Sequence, residues 1–203
     1  MMTLRTVSIV LVIGALAGVA MGQPPTGLSI TFDPLDQAVG LGSTVDVGIR
    51  ISGLGDFTAP SIAVFDLNVT FDPTILDFTG ALFGDPVLGD QLDLWELGSF
   101  TAATPSSGLA NIFELSLDLP GDLDDLQASD FTMATLSFDA VGIGTSSLGL
   151  FANALGDSWG DPLSANLGTG SVTVTPLPGA VLLGSLGLGS AGWVLRRKTR
   201  GNR

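Results

Sequence analysis

The chain has 203 residues, enough for one ordinary domain once two terminal targeting segments are set aside. Cysteine, histidine and tyrosine are absent, which removes disulfides, thiolate metal sites, the Ser-His-Asp and Cys-His arrangements and the usual general base near neutral pH. All 20 carboxylates lie between Asp33 and Asp161, where Arg50 is the one basic side chain, so this region carries a net −19 and repels nucleic-acid backbones.

Met1 to Arg5 give a positive start, and Val7 to Val19 follow as an apolar run of 13 residues. That is the length of a signal-peptide core and short for a spanning helix. Ala20-Met21-Gly22 then sets small residues at the −3 and −1 positions for cleavage between Gly22 and Gln23. Residues 1–22 are therefore expected to be a signal peptide and the product to be secreted.

In the body, residues 23–175, apolar and polar side chains alternate with period two, and no segment keeps helical spacing for three turns. Leu28 to Asp33 is the first candidate strand. In Thr44 to Ser52, Val45, Val47, Ile49 and Ile51 point one way and Asp46, Gly48 and Arg50 the other. In Phe65 to Phe71, Phe65, Leu67, Val69 and Phe71 face inward, and Asp72-Pro73 stops the strand as a turn. Ile75 to Phe78, Leu109 to Leu117, Thr132 to Ala140, Ser146 to Phe151 and Ser171 to Thr175 follow. Eight short strands between Gly, Asp and Pro turns predict an all-β sandwich of two antiparallel sheets. Two long irregular stretches, Gly80 to Gly108 and Asp118 to Asp130, are left for a short helix, a lid or a binding surface.

After the body, Pro176-Leu177-Pro178 precedes Gly179 to Leu195, which is 17 residues without a charge, and then Arg196-Arg197-Lys198. As a helix the apolar run reaches about 26 Å, just short of a hydrocarbon core of about 30 Å. The basic cluster is a stop that stays on the cytoplasmic side, leaving the body outside. The order of Pro motif, short membrane helix and basic end resembles the PEP-CTERM sorting signal of Gram-negative envelope proteins, with Leu177 where that family usually has Glu. The resemblance covers about residues 176–203. It implies recognition by an exosortase-type membrane protease, transient anchoring in the inner membrane, and transfer or release at the outer cell surface.

Three segments of the body, Val39 to Val47, Ala63 to Phe78 and Met133 to Gly142, resemble the cohesin-type sandwich, and the strand-Asp-Pro-strand block around Asp72-Pro73 is the most telling piece. The similarity spans about residues 28 to 175. It implies a jelly-roll-like sandwich of about nine antiparallel strands that binds rather than catalyses. Cohesins receive dockerins on one sheet face, and the resemblance assigns no single residue here to that face.

Carboxylates are the remaining acid/base groups. Glu96 beside Trp95, with Asp93 nearby, is the one cluster that suits a sugar cleft, with the indole stacking on a ring. Packing of Trp95 with a rim of solvated acids is the plainer account. Asp118, Asp122, Asp124 and Asp125 in one loop, and Asp157 with Asp161 in another, offer hard oxygen ligands for calcium, without the spacing of a dedicated calcium loop. Solvated turn acids are the plainer account of both groups. The leading expectation is a non-enzymatic surface or extracellular-matrix protein with a protein or polysaccharide partner and no nucleic acid. The alternative is a carbohydrate-binding module or weak carboxylate glycosidase.

Overall fold

The structure, a computed structural model, describes residues 27–176. The cleavage site at Gly22 and Gln23, the motif residues Leu177 and Pro178, the apolar helix and the stop residues Arg196, Arg197 and Lys198 lie outside the described residues, whereas Pro176 is exposed just after the last strand. Among the described residues no helix is long and apolar enough to cross a membrane.

The elements run β1 (Ser29–Asp33), β2 (Asp36–Gly40), β3 (Thr44–Ser52), β4 (Val64–Thr70), β5 (Leu76–Phe83), β6 (Phe100–Ser106), β7 (Leu109–Leu115), α1 (Pro120–Leu126), β8 (Asp130–Ala140), β9 (Gly144–Gly156), β10 (Asn166–Leu167) and β11 (Thr169–Thr175). They form a five-stranded sheet in the order β10-β1-β3-β8-β5 and a six-stranded sheet in the order β2-β11-β9-β4-β7-β6. The alternation explains the packing. Val45, Val47, Ile49 and Ile51 of β3 and Phe131, Leu136 and Phe138 of β8 meet Phe65, Leu67 and Val69 of β4, Ile112 of β7 and Leu148 of β9 in one core. Each such side chain contributes about 1.5–3 kcal/mol by leaving water. Phe138 lies edge-on to Phe71 and Phe78, with ring centroids 5.2 and 5.6 Å apart.

The expected sandwich is present, with eleven strands rather than about nine. The additional strands are β2, β6 and β10, none with a clear alternation of buried and exposed positions. β10 has two residues, and β6 is exposed along its whole length, so neither has a covered face to impose a pattern. Not all pairings are antiparallel. β1 pairs parallel with β10 and β2 parallel with β11, because each end of the body switches sheets and lays one strand at the margin of each.

At the Asp72-Pro73 turn, Asp72 Oδ1 accepts bonds from Thr74 N–H at 2.9 Å and Thr74 Oγ1 at 2.6 Å, and the chain returns into β5. Gly142 crosses beneath this turn between β8 and β9, where a Cβ would stand 2.0 Å from the Thr74 carbonyl oxygen. Only glycine permits that approach.

The first long stretch supplies the end of β5 and all of β6, and its irregular part, residues 84–99, packs with the second stretch at one end of the sandwich. The buried Gln127, just after α1, accepts from Ile62 N–H at 2.7 Å and donates to the carbonyls of Ile62 (2.9 Å) and Gln91 (2.8 Å). Gln91 Oε1 accepts from Ala128 N–H at 3.0 Å, and Leu123 plugs α1 into the body. One buried amide thus joins three loops that lack a ladder of their own.

Candidate functional site

The outer face of the six-stranded sheet is the most differentiated surface. Its rows follow from register: Phe100, Leu115 and Val64 lie across β6, β7 and β4, and Ala102, Phe113, Asp66 and Ala154 across β6, β7, β4 and β9. The next row is Thr104, Asn111, Asn68 and Phe151. Phe100 is 61% exposed and Phe151 58%. Between these apolar groups lies a polar clasp. Asp66 Oδ1 accepts from Asn111 Nδ2 at 2.6 Å and from Asn153 Nδ2 at 3.0 Å. Asn68 accepts from Asn111 at 3.0 Å and donates to Asn153 Oδ1 at 3.1 Å. Asn153 reaches this network because a bulge opposite Asp66 and Leu67 leaves it unpaired in the ladder. The clasp fixes three strands while the apolar groups beside it stay open to solvent.

A second feature lies just beneath β7. Its alternation turns Glu114 inward beside Ala110 and Ile112, and Glu114 is fully buried. Ser99 Oγ donates to Oε1 at 2.6 Å, and Oε2 has no hydrogen-bond partner. Burial pushes this carboxyl up to about 8; the Ser99 bond opposes the shift, and the carboxylates of Asp90 and Asp93 add to it.

The sequence-predicted acids serve as braces at the loop end. Both carboxylate oxygens of Asp93 accept from Gly98 N–H, at 3.0 and 3.1 Å, closing the turn in which Glu96 has a positive φ of 52° and is exposed. Trp95 is 55% exposed and donates its indole N–H to Asp122 Oδ2 at 3.0 Å. Asp118 Oδ2 accepts from Leu94 N–H at 2.6 Å, while its Oδ1 is buried without a partner. Burial holds the Asp118 carboxyl above the usual range against that bond, and the charges of Asp93 and Asp122 add to the rise.

Asp124 Oδ1 accepts from Ser61 Oγ (2.5 Å) and Ser158 Oγ (2.9 Å), and its Oδ2 from the indole of Trp159 (2.8 Å). Burial tends to raise Asp124, but the three bonds outweigh it and hold the group below the ordinary range. Asp157 Oδ1 closes its own loop onto Trp159 N–H (3.0 Å) and Asp161 N–H (2.8 Å), and Asp125 and Asp161 are exposed. Among the described residues no three acids are grouped to hold a metal ion, so Asp118, Asp122, Asp124 and Asp125 do not form a ready-made calcium cage. The Trp95, Glu96 and Asp93 cluster likewise has no free carboxylate pair facing across a cleft, since Asp93 is committed to its turn. At the opposite end of the sandwich, a cleft of about 330 Å³ is lined by Phe71, Phe78, Pro105 and Asp77 among others, with Asp77 its one ionisable group.

Sequence reading missed the clasp, Glu114 and Trp159. Glu114 was discoverable, because the alternation of Leu109 to Leu117 puts position 114 on the buried side. The clasp was not, since it needs the β4–β9 register and its bulge.

No protein-family model matches the chain, and no curated protein does. Solved structures do. The sixth cohesin of Acetivibrio cellulolyticus scaffoldin B, in complex with a Cel5 dockerin mutant, is 19% identical with a TM-score of 0.57, over 73% of this chain and 99% of that one. The cohesin module of a Clostridium perfringens family 33 glycoside hydrolase is 13% identical with a TM-score of 0.56, over 74% and 98%. A non-cellulosomal cohesin of the archaeon Archaeoglobus fulgidus is 13% identical with a TM-score of 0.52, over 73% and 89%. At these identities the likeness is one of fold, and the body of this chain is a cohesin-like β-sandwich.

Proposed function

We propose that the protein is a non-catalytic binding module exported to the cell surface or extracellular matrix, with the outer face of β9-β4-β7-β6 docking a protein partner. The observation that carries this reading is the pairing of exposed Phe100, Leu115 and Phe151, and the half-buried Phe113 between them, with the internally bonded Asp66, Asn68, Asn111 and Asn153. Aromatic anchors around a rigid polar centre are what a protein interface uses, since few side chains have to be ordered on association. The module of scaffoldin B, which shares the fold, is in complex with a dockerin, so a dockerin-type module is the first partner to test. Titration calorimetry against a panel of dockerin modules should yield a complex that Phe113→Ser and Leu115→Ser each weaken about tenfold or more. A complex indifferent to both substitutions sinks the placement of the interface, and no complex across the panel sinks the dockerin-type partner.

Export and sorting form the second half of the proposal. It rests on the apolar run before Gly22 and Gln23, on Pro176-Leu177-Pro178, and on the charge-free stretch ending at Arg196, Arg197 and Lys198. An exosortase-type protease would remove the tail after translocation. Mass spectrometry of the surface protein should then find chains beginning at Gln23 and lacking the basic end. Recovery of chains ending at Arg203 contradicts processing.

A further inference from the structure

Two exposed tryptophans lie away from the sheet face. Trp95 is 55% and Trp159 69% exposed, and both are tied to α1, the first through Asp122 and the second through Asp124. Positions 122 and 124 are roughly 200° apart around a helix, so the indoles stand on opposite flanks of α1. Tryptophan is among the side chains most enriched at binding interfaces, where its large ring supplies contact area at little entropic cost. Here each N–H is already satisfied by a carboxylate, so what remains for a ligand is the ring itself, held in a fixed orientation.

The surroundings decide which ligand suits such rings. Segments 93–97, 118–125 and 157–161, which build this end, carry eight carboxylates and no basic residue. A carboxylate bonded to the indole N–H places negative charge beside a ring whose face already attracts cations. Anionic partners are repelled, and a neutral sugar would gain from the rings but not from the charge. A guanidinium gains from both, because it stacks flat on an indole and presents forked donors to carboxylates. Leu97, Leu119 and Leu126 add exposed apolar surface for the aliphatic stem of such a side chain.

We propose that Trp95 and Trp159, flanking α1, form a second docking surface for a basic, arginine-bearing polypeptide segment, separate from the sheet face and independent of it. The test is calorimetric titration of the full chain with a hexa-arginine peptide at moderate salt. Trp95→Ala combined with Trp159→Ala leaves the net charge untouched and should weaken binding about tenfold or more. Should the alanine variant melt lower than the parent, Trp95→Leu with Trp159→Leu keeps apolar bulk, removes the rings and should show the same loss. Phe113→Ser should leave peptide affinity unchanged. Equal affinity for parent and double variant means attraction by bulk charge alone and overturns the proposal, as does failure of the peptide to bind. Binding of cellohexaose that is lost with the two indoles, without peptide binding, overturns it in favour of a neutral sugar.

Discussion

Glu114 occupies a position that its neighbours Ala110 and Ile112 would fill with hydrocarbon, and within the described residues the one side chain of opposite sign, Arg50, lies in the other sheet. A carboxylate cannot be ionised there cheaply, so the folded protein holds the proton that burial pushes up to about 8. The linkage has a definite sign. Between the ordinary carboxyl value of 4.5 and about 8 the folded state binds more protons than the unfolded one, so stability falls as pH rises across that window and levels off above it. Urea unfolding at pH 5 and pH 8 should show a loss on the order of a few kcal/mol at the higher pH. Glu114→Gln keeps the acceptor for Ser99, cannot ionise, and should flatten the profile while raising stability at pH 8. A parent profile that is flat from pH 5 to pH 8 would contradict the buried proton. The alternation of β7 puts position 114 on the buried side, a signal the sequence reading passed over. The orphaned Oε2 and the approach of Asp90 and Asp93 depend on loops whose path no periodicity encodes.

Among the elements, β4 and β7 were legible because burial alternates along them, and β3 and β8 because their side-chain pattern alternates, although 47–49 and 131–134 are buried without a break. β5 and β9 ran longer than expected because bulges at Phe78/Gly80 and opposite Asp66/Leu67 shift the phase within each strand. α1 is too short for a helical period to show; Pro120 at its start and the buried Leu123 are its local signals. A central tie of α1 and the 84–99 loop to the body is Gln127, whose three bonds satisfy backbone groups of Ile62 and Gln91 out of reach of solvent. Gln127→Leu keeps the volume and leaves those groups unpaired, and should cost about 3 kcal/mol or more. Thermal unfolding measures this directly, and a loss below about 1 kcal/mol would show that water reaches the site. Gly142→Ala should be similarly damaging, since its Cβ meets a backbone oxygen that the Asp72 turn holds in place.

For the whole molecule the dominant fact is one sign of charge. The described body carries 20 carboxylates against Arg50, so folding compresses negative charge into a smaller volume and self-repulsion opposes it. Many of the carboxylates are hydrogen-bonded to serines, asparagines, indoles and backbone N–H groups in place of cations, which fixes loops without neutralising anything. Added salt should therefore stabilise the fold by screening, with the melting temperature rising as NaCl goes from about 0.01 M to 0.5 M, where the Debye length falls from about 30 Å toward a few ångströms. The same reasoning separates general from specific cation effects. A dedicated site raises stability in proportion to its occupancy at cation levels too low to screen. Since among the described residues no three acids are grouped for a metal ion, CaCl2 and NaCl at matched ionic strength should raise the melting temperature alike. A marked excess for calcium at sub-millimolar concentration would mean that loop acids such as Asp118, whose Oδ1 is buried and unpartnered, rearrange around the ion, and that the fold is completed by it.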